Sequence, residues 1–339
     1  MHIVCKFGGS STASETGIRN VLRLSQAKER RFFTFSALGK RREGEKKITD
    51  LLIELYPLFK RGLVEKKQFE GILERFFVFS QIPQSQIERL IEKDWKKLPD
   101  ATFPFLLSRG EFWTSKLMST LLDIPFVDSV DCIFVDGWDF AYTREKLSSY
   151  PRAVVPAFYG KGSRGIALYP RGGGDITGSV LSRGTNADLY ENWTDVEGVY
   201  TLSPKRKKDA VHQPYLTFTE LKNISYFGGC VFHPLAIAPL RCPLLVASTF
   251  VPEGKKTFVG ESYRREVAGV CERNGNVVVV DDFRREKWRS LQLKEELKRE
   301  NIPMLKEKVG KGYALAKVQR GYEQEALFTA YRYFIEGKK

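Results

Sequence analysis

Near the start of the chain, short apolar runs alternate with a stretch in which apolar residues recur at helical spacing. Residues 2–7 and 32–37 form the apolar runs, and each run predicts a buried strand. Between them, residues 14–30 place their apolar side chains on one helical face, which predicts a helix. A strand, a helix and a second strand in this order predict a βαβ unit and therefore a mostly parallel sheet.

The following residues favour helices and then return to strand character. Thr49 is predicted to cap a helix, and residues 62–98 predict a helical layer that is rich in aromatic residues. Residues 103–122 predict another long helix. Three short apolar runs then predict strands, at residues 125–128, 132–136 and 153–156. We expect a first lobe to end near residue 150.

Length and composition narrow the class of protein. A chain of 339 residues with 42% hydrophobic content is expected to form two or three domains with a large core. It has no apolar run of about eighteen residues and no signal-peptide layout, so a membrane protein is not expected. The five cysteines are widely spaced and form no C-x-x-C pair, which argues against a disulfide framework or a zinc site and favours a reducing cytoplasm.

The net charge favours an anionic ligand. The chain carries 55 Lys and Arg against 41 Asp and Glu, an excess of 14, which implies attraction to polyanions. The basic residues are spread along the chain, however, and no nucleic-acid-binding motif accompanies them. We therefore predict a nucleotide-binding cleft within a basic surface and no nucleic-acid partner.

A pair of glycines follows the first predicted strand, in the sequence Lys6-Phe7-Gly8-Gly9-Ser10-Ser11. A strand that enters a helix through two glycines leaves several backbone N–H groups directed at one point, where the helix dipole favours negative charge. Gly8 and Gly9 allow close approach, and Lys6 adds a full positive charge, so the motif suits a phosphate. A glycine turn between a buried strand and a helix explains the same residues.

A second glycine cluster reads Arg171-Gly172-Gly173-Gly174-Asp175, and Asp175 stands where a helix N-cap is expected. Ordering three consecutive glycines costs roughly 1 kcal/mol each relative to alanine. Such a loop is favoured where a ligand needs access to the backbone. A simple connection with a solvated Arg171 is the alternative.

Seven short motifs, in this order and rough spacing, resemble those of aspartokinases, members of the amino-acid kinase superfamily. The similarity covers about residues 1–262. The motifs are Lys6-Phe7-Gly8-Gly9-Ser10-Ser11, Phe35-Ser36-Ala37, Ser108-Arg109-Gly110-Glu111, Phe158-Tyr159-Gly160, Arg171-Gly172-Gly173-Gly174-Asp175, Thr194-Asp195-Val196-Glu197-Gly198-Val199-Tyr200-Thr201 and Phe232-His233-Pro234.

The resemblance implies an α/β fold with an open, largely parallel sheet sandwiched by helices, the amino-acid kinase fold. It implies transfer of the γ-phosphoryl group of ATP, with Mg²⁺, to the side-chain carboxylate of L-aspartate. The product, 4-phospho-L-aspartate, begins the biosynthesis of lysine, threonine, methionine and diaminopimelate. The N-terminal lobe is expected to hold the amino acid, and a C-terminal lobe over residues 151–262 is expected to hold ATP.

The resemblance also implies a role for each matched residue. Lys6 and Asp175 are the expected catalytic residues, Lys6 by stabilising charge on the phosphoryl group and Asp175, with Glu111, by contacting the α-ammonium of the substrate. Arg171 is expected to bind the α-carboxylate, while Ser36, Thr49 and Phe158 line the amino-acid pocket. The residues expected at the nucleotide and its phosphates are Gly8, Gly9, Ser10, Gly172, Gly173, Thr194, Asp195, Tyr200 and Lys205. No side-chain metal site is expected.

Four positions depart from the family pattern. Gly174 replaces a serine in the substrate loop, and Pro170 replaces the glycine before Arg171. Ser203 replaces an aspartate after the nucleotide turn, and Cys230 replaces a lysine. The substituted loop leaves open a kinase for another small carboxylate, and Ser203 with Cys230 leaves open a catalytically weak regulatory paralogue.

The C-terminal residues, 263–339, follow a βαββα pattern that resembles one ACT-type regulatory module without its last strand. Family members usually carry two such modules. The single module predicts weak feedback inhibition by lysine or threonine, while a homodimer could bring two copies together.

Overall fold

The computed structural model describes residues 1–170, 172–229, 232–261, 267–281 and 285–337. The chain divides into two compact units. The first unit comprises Met1–Val196 and Pro239–Gly254, and the second comprises Glu197–Ala238 and Lys255–Lys339. None of the helices within the described residues is both long and apolar enough to cross a membrane.

The secondary structure alternates strands and helices over much of its length. The strands are β1 (Ile3–Phe7), β2 (Arg30–Phe35), β3 (Ala153–Pro156), β4 (Tyr159–Gly162), β5 (Gly165–Leu168), β6 (Leu189–Thr194), β7 (Val199–Tyr200), β8 (His212–Gln213), β9 (Tyr215–Thr217), β10 (Leu244–Ser248), β11 (Lys256–Gly260), β12 (Gly269–Arg273), β13 (Asn276–Val280), β14 (Met304–Gly310) and β15 (Tyr313–Val318). The helices are α1 (Gly9–Thr12), α2 (Glu15–Leu24), α3 (Ile48–Lys60), α4 (Lys66–Phe76), α5 (Gln84–Trp95), α6 (Phe103–Leu122), α7 (Ser129–Cys132), α8 (Phe140–Leu147), α9 (Gly173–Gly184), α10 (Phe218–Tyr226), α11 (Glu286–Arg299) and α12 (Glu323–Phe334).

The first unit is built on a parallel sheet with the strand order β3-β2-β1-β6-β10. Parallel neighbours need crossover connections, and here helices such as α2 and α9 supply them. Helices α6 and α9 pack against its strands. The predicted α/β fold with an open, mostly parallel sheet flanked by helices is therefore confirmed, as is the predicted βαβ unit at its start.

The core of this unit lies where the sheet meets its helices. The ring of Phe7 stacks on Phe35 at 5.3 Å and on Trp193 at 6.3 Å between ring centroids. Trp113 of α6 is also fully buried and packs edge-on against Phe76. Phe76 of the predicted helical layer therefore belongs to this core.

Two local predictions are wrong. Thr49 does not cap its helix: Lys47 occupies the N-cap position and α3 begins at Ile48. The runs at residues 125–128 and 132–136 form isolated bridges around the short helix α7 rather than strands. The reason is local, since the Asp128 carboxylate accepts a hydrogen bond from the N–H of Val130 at 3.3 Å and caps that helix.

The second unit contains a four-stranded antiparallel sheet with the order β12-β13-β15-β14. Helices α11 and α12 pack on it, and their apolar side chains form a separate core with those of the sheet. Along the chain its elements follow the order ββαββα. Strand β12 pairs with β13 and forms one edge of the sheet. The unit also holds α10 and the parallel pair β9–β11. The domain limits predicted at residues 150 and 262 stay predictions.

Candidate active site

Lys6 and Asp175 form an ion pair at the end of β1. Lys6 Nζ lies 2.7 Å from Asp175 Oδ1, and their side chains are only 11% and 13% exposed. Shielding from water strengthens a charge pair of this kind, because less solvent screens it. Residues that are 169 positions apart in sequence thus meet because α9 begins beside the end of β1.

Helix α9 begins before Asp175, whereas the sequence predicts that the helix begins directly after it. Gly172 is the N-cap, with a φ of 88° that favours glycine, and Asp175 is the third residue of the helix. The N-cap prediction for Asp175 is therefore wrong, although an acidic residue in the first turn still interacts favourably with the helix dipole. Arg171 lies outside the described residues.

Gly173 has no room for a side chain. A Cβ there would lie 2.7 Å from Phe158 Cδ2 and 2.9 Å from Tyr169 Cβ. The hydroxyl of Thr177 donates to the Gly173 carbonyl at 2.8 Å and accepts from the N–H of Phe158 at 3.0 Å. These contacts bind the start of α9 directly to the chain around Phe158.

Phe158 has a strained backbone. Its φ is 76°, and the N–H of Tyr159 donates to the Ala157 carbonyl at 3.0 Å. A three-residue turn with positive φ at a bulky residue is rare and costs on the order of 1–3 kcal/mol. The cost is offset by packing against Gly173, which holds the half-buried Phe158 ring at the start of α9.

The Gly8-Gly9 turn is held by backbone contacts on both sides. Gly8 donates its N–H to the carbonyl of Trp193 at 2.9 Å, so this group does not point at a phosphate. Gly8 is instead the N-cap of α1, whose first residues are Gly9 and Ser10. The first N–H groups of a helix have no acceptor within it, so those of Gly9 and Ser10 remain the candidate phosphate donors.

Gly39 makes a close backbone contact that sequence reasoning missed. Its N–H donates to the Gly9 carbonyl at 2.9 Å, and a Cβ on Gly39 would lie 2.5 Å from that oxygen. A Cβ on Gly9 would meet the Ala37 carbonyl at 2.5 Å. The loops after β1 and β2 therefore interlock through glycine. The Leu38-Gly39-Lys40 turn signal was present in the sequence, but its partner was not identifiable.

Ser36 lies beside the ion pair. Its N–H donates to the Phe7 carbonyl at 3.1 Å, which places it level with the end of β1. A Cβ on Gly174 would lie 2.8 Å from Ser36 Oγ and 3.3 Å from Lys6 Cε. The structure thus brings Lys6, Ser36, Gly174 and Asp175 together, and their roles stay predictions.

Glu111 is buried near the end of β2. Burial raises the pKa of its carboxyl to about 8, against hydrogen bonds from the N–H groups of Ala37 and of Glu111 itself, which lower it. Oε2 has no hydrogen-bond partner within the described residues. Gly110 sits so close to Ala37 that a Cβ there would lie 2.9 Å from Ala37 Cβ. Glu111 is therefore a buried, mostly protonated acid with an unused oxygen.

Thr49 and Arg109 take different positions relative to Glu111. Thr49 is half-buried at the second position of α3, and the neighbouring Ile48 would contact a side chain on Gly110 at 3.2 Å.

The Arg109 side chain turns away from Glu111 and pairs with Asp94 at 3.0 Å. Its guanidinium also lies 4.2 Å from the ring centroids of both Phe105 and Phe112. Arg109 therefore has a structural role, although it belongs to the same motif as Glu111.

The predicted nucleotide residues are divided between the units. Thr194 ends β6 in the first unit, and its hydroxyl donates to the exposed Asp195 carboxylate at 3.1 Å. In the second unit, Tyr200 is half-buried with its ring edge-on to His212 at 5.3 Å, and Lys205 is exposed. A nucleotide site that combines these residues stays a prediction.

Polar side chains that sequence reasoning did not select flank Lys6 in the sheet. Thr34 and Asn192 are its register partners on the two neighbouring strands, and both are at most 1% exposed. Neither the Thr34 hydroxyl nor the Asn192 amide has a hydrogen-bond partner in the described residues. Buried polar groups are normally satisfied, so this row suits ordered water below Lys6. The row becomes visible only from the register of the paired strands, and no pattern in the sequence indicates it.

Comparison with known proteins gives consistent matches. The model of the amino acid kinase family matches residues 1–248. Aspartokinase 3 of Bacillus subtilis is 30% identical over 286 residues, which cover 76% of this chain and 63% of that protein. The chloroplastic aspartokinase 2 of Arabidopsis thaliana is 28% identical over 296 residues, 76% of this chain and 54% of that protein. The chain thus spans roughly half to two thirds of these curated relatives.

Solved structures agree. The aspartate kinase of Clostridium acetobutylicum is 26% identical, with a TM-score of 0.75, and the match covers 97% of this chain and 82% of that one. E. coli aspartokinase III in complex with aspartate and ADP is 21% identical, covers 96% and 80%, and has a TM-score of 0.67, which supports the fold. The resemblance to aspartokinases drawn from the seven motifs is confirmed.

Proposed function

Because this chain belongs to the amino acid kinase family, we propose that it transfers the γ-phosphoryl group of ATP to the side-chain carboxylate of L-aspartate. The observation that carries the proposal is the ion pair of Lys6 and Asp175, which are 2.7 Å apart and shielded from water. The pair lies beside the N-termini of two helices, α1 and α9, each of which has a glycine as its N-cap. The product, 4-phospho-L-aspartate, is a mixed anhydride and would open the route to lysine, threonine, methionine and diaminopimelate.

The reaction requires positioning and neutralisation of charge. An oxygen of the aspartate carboxylate attacks the γ-phosphorus, the new P–O bond forms, and the bond to the ADP oxygen breaks. The ionised carboxylate is already a nucleophile, so no general base is needed. The Lys6 ammonium and the N–H groups of Gly9 and Ser10 would stabilise the charge on the transferring group.

Asp175 would orient Lys6 for this step. An anionic partner at 2.7 Å fixes the direction of the ammonium, which lowers the cost of reorganisation during transfer. Asp175 could also contact the substrate ammonium, as the family resemblance implies. The carboxylate of Asp175, in the first turn of α9, would then interact with both the Lys6 ammonium and the substrate ammonium.

The amino-acid pocket is proposed to lie between α6 and the start of α9. Arg171 would bind the α-carboxylate in a bidentate manner, and Glu111 would receive the α-ammonium. An arriving cation favours the ionised form of Glu111, so binding would lower a pKa that burial has raised. Ser36, Thr49 and Phe158 would complete the lining.

The nucleotide would contact Gly172, Gly173, Thr194 and Asp195 of the first unit. Mg²⁺ is usually held by substrate phosphates with one or two carboxylates, and the exposed Asp195 is the carboxylate that fits this role here. The ion would neutralise phosphate charge and align the β- and γ-phosphates.

We also propose a cytoplasmic homodimer. Cys5, Cys132 and Cys242 are free and buried, as suits a reducing compartment, while Cys230 lies outside the described residues. The exposed β14 at the edge of the four-stranded sheet provides a surface on which two copies could associate.

The experiment is a hydroxylamine-trapping assay of the purified chain with ATP, Mg²⁺ and L-aspartate, since hydroxylamine converts the acyl phosphate into a coloured hydroxamate. We expect turnover with L-aspartate and, from a Lys6→Met variant, turnover lower by on the order of a hundredfold. Turnover with other small carboxylates but not aspartate would favour the alternative that Gly174 suggests. Nucleotide binding without turnover on any acid would contradict the proposal and favour a regulatory paralogue.

A further inference from the structure

The second unit contains a cleft that the proposed reaction does not use. It has a volume of about 600 Å³ and lies between α10 and the four-stranded sheet. This volume falls within the range of small-molecule sites. Thr194, Asp195, Tyr200 and Lys205, the residues predicted to face the nucleotide in the reaction, are not among its lining residues.

The cleft is strongly positive. Lys222 comes from α10, Arg273 from the end of β12 and Lys308 from β14, and all three side chains line it. No aspartate or glutamate is among the lining residues that the structure describes. Glu272, which precedes Arg273 in sequence, pairs with Arg206 at 3.1 Å. Three converging cations without a carboxylate repel cationic ligands and attract multiply charged anions.

One wall of the cleft is aromatic. Phe227 is buried and packs against both Tyr226, at 5.0 Å between ring centroids, and Tyr313, at 4.8 Å. Tyr226 is 58% exposed, so its ring is available for stacking although its neighbours fix its position. A flat, polarisable ligand group gains both burial and stacking on such a wall.

The cleft is also pre-formed. Arg273 donates a hydrogen bond to the Tyr226 carbonyl at 2.6 Å, which joins the β12–β13 turn to the end of α10. Asn223 donates to the Lys311 carbonyl at 2.9 Å, which joins α10 to the β14–β15 turn. Binding would therefore not need to order these elements first.

We propose that this cleft binds a nucleotide, separately from the nucleotide consumed in the kinase reaction. Lys222, Arg273 and Lys308 hold the phosphates, and the base stacks on Tyr226. The charge of the cleft disfavours an amino-acid effector such as lysine, whose side-chain ammonium would face three cations. The anionic phosphate and the planar base are each matched by a separate group of lining residues.

The test is photoaffinity labelling of the full chain with 8-azido-ADP, followed by digestion and mass spectrometry. We expect label on peptides that contain Tyr226 or Tyr313. Lys308→Met and Arg273→Met are each expected to raise the 8-azido-ADP concentration that gives half-maximal labelling by about tenfold. This is the loss of affinity expected when one charge-assisted contact is removed. Lys317→Met is the matched control because Lys317 is an exposed lysine of β15 that does not line the cleft, and it should leave labelling unchanged.

Competition separates the two halves of the ligand. Unlabelled ADP should compete at least tenfold better than pyrophosphate and than adenosine. Equal competition by pyrophosphate would overturn the nucleotide assignment, because the aromatic wall would then contribute nothing. Label confined to other peptides, or unaffected by both cation variants, would overturn the site itself. The readout is a labelled peptide, so it holds whether or not the chain phosphorylates aspartate.

Discussion

The ammonium of Lys6 and the carboxylate of Asp175 are 2.7 Å apart and largely shielded from water. Lys6 is the penultimate residue of the central strand β1 and Asp175 lies in the first turn of α9, so the pair links the two glycine motifs of the sequence. We expect the two residues to act together in the proposed reaction, and this expectation sets what their variants should do.

Lys6→Ala is expected to lower kcat for aspartate phosphorylation by on the order of a hundredfold, because in the proposed mechanism its charge stabilises the phosphoryl group during transfer. The KM values should change far less. Lys28→Ala, which removes an exposed lysine of the first unit, is the control and should retain full activity. Steady-state kinetics measures both, and a near-normal kcat for Lys6→Ala would remove Lys6 from the mechanism.

Asp175→Asn is expected to reduce kcat substantially, and its effect should not add to that of Lys6→Ala. Residues in one ion pair show coupling, so the double variant should be little worse than Lys6→Ala alone. A double-mutant cycle on kcat/KM measures this coupling. Fully additive losses would show that Asp175 acts on the substrate independently of Lys6.

Because of Glu111, the free energy of unfolding should decrease as pH rises. Its pKa is about 8 in the folded protein and near 4.5 when the chain is unfolded, so the folded state binds the extra proton between these values. The stabilising contribution is fully present below about pH 4.5 and is lost as pH rises through 8. Urea unfolding from pH 5 to 9 should therefore show a steeper decline in the wild type than in Glu111→Gln. Parallel curves would contradict the raised pKa.

Gly173→Ala is expected to destabilise the protein by roughly 1–3 kcal/mol and to impair turnover, because the new methyl group would press on Phe158 and Tyr169. Gly71→Ala provides the matched control. Gly71 lies inside α4 with nothing within 4 Å of a Cβ, so alanine there should stabilise by about 0.5–1 kcal/mol. Thermal unfolding compares the two variants, and equal Tm values would show that the contact at Gly173 is tolerant.

Local sequence determined the elements whose pattern is strong and continuous. The strand that ends at Phe7, the helix Phe103–Leu122 and the parallel βαβ unit follow from hydrophobic periodicity alone. Motif order was enough to indicate the family, since glycine and charged residues at a phosphate site serve a chemistry that tolerates few replacements.

Tertiary structure decided the positions of these motifs relative to one another. The sequence placed Asp175 at an N-cap and the Gly8 N–H at a phosphate, whereas packing put Gly172 at the cap and turned the Gly8 N–H to Trp193. The strand runs at 125–128 and 132–136 gave way to a capped helical turn. The raised pKa of Glu111 likewise depends on burial that no periodicity reveals. Periodicity reports which face of an element is buried, but hydrogen-bond partners, desolvation and close glycine contacts depend on which distant segment arrives there.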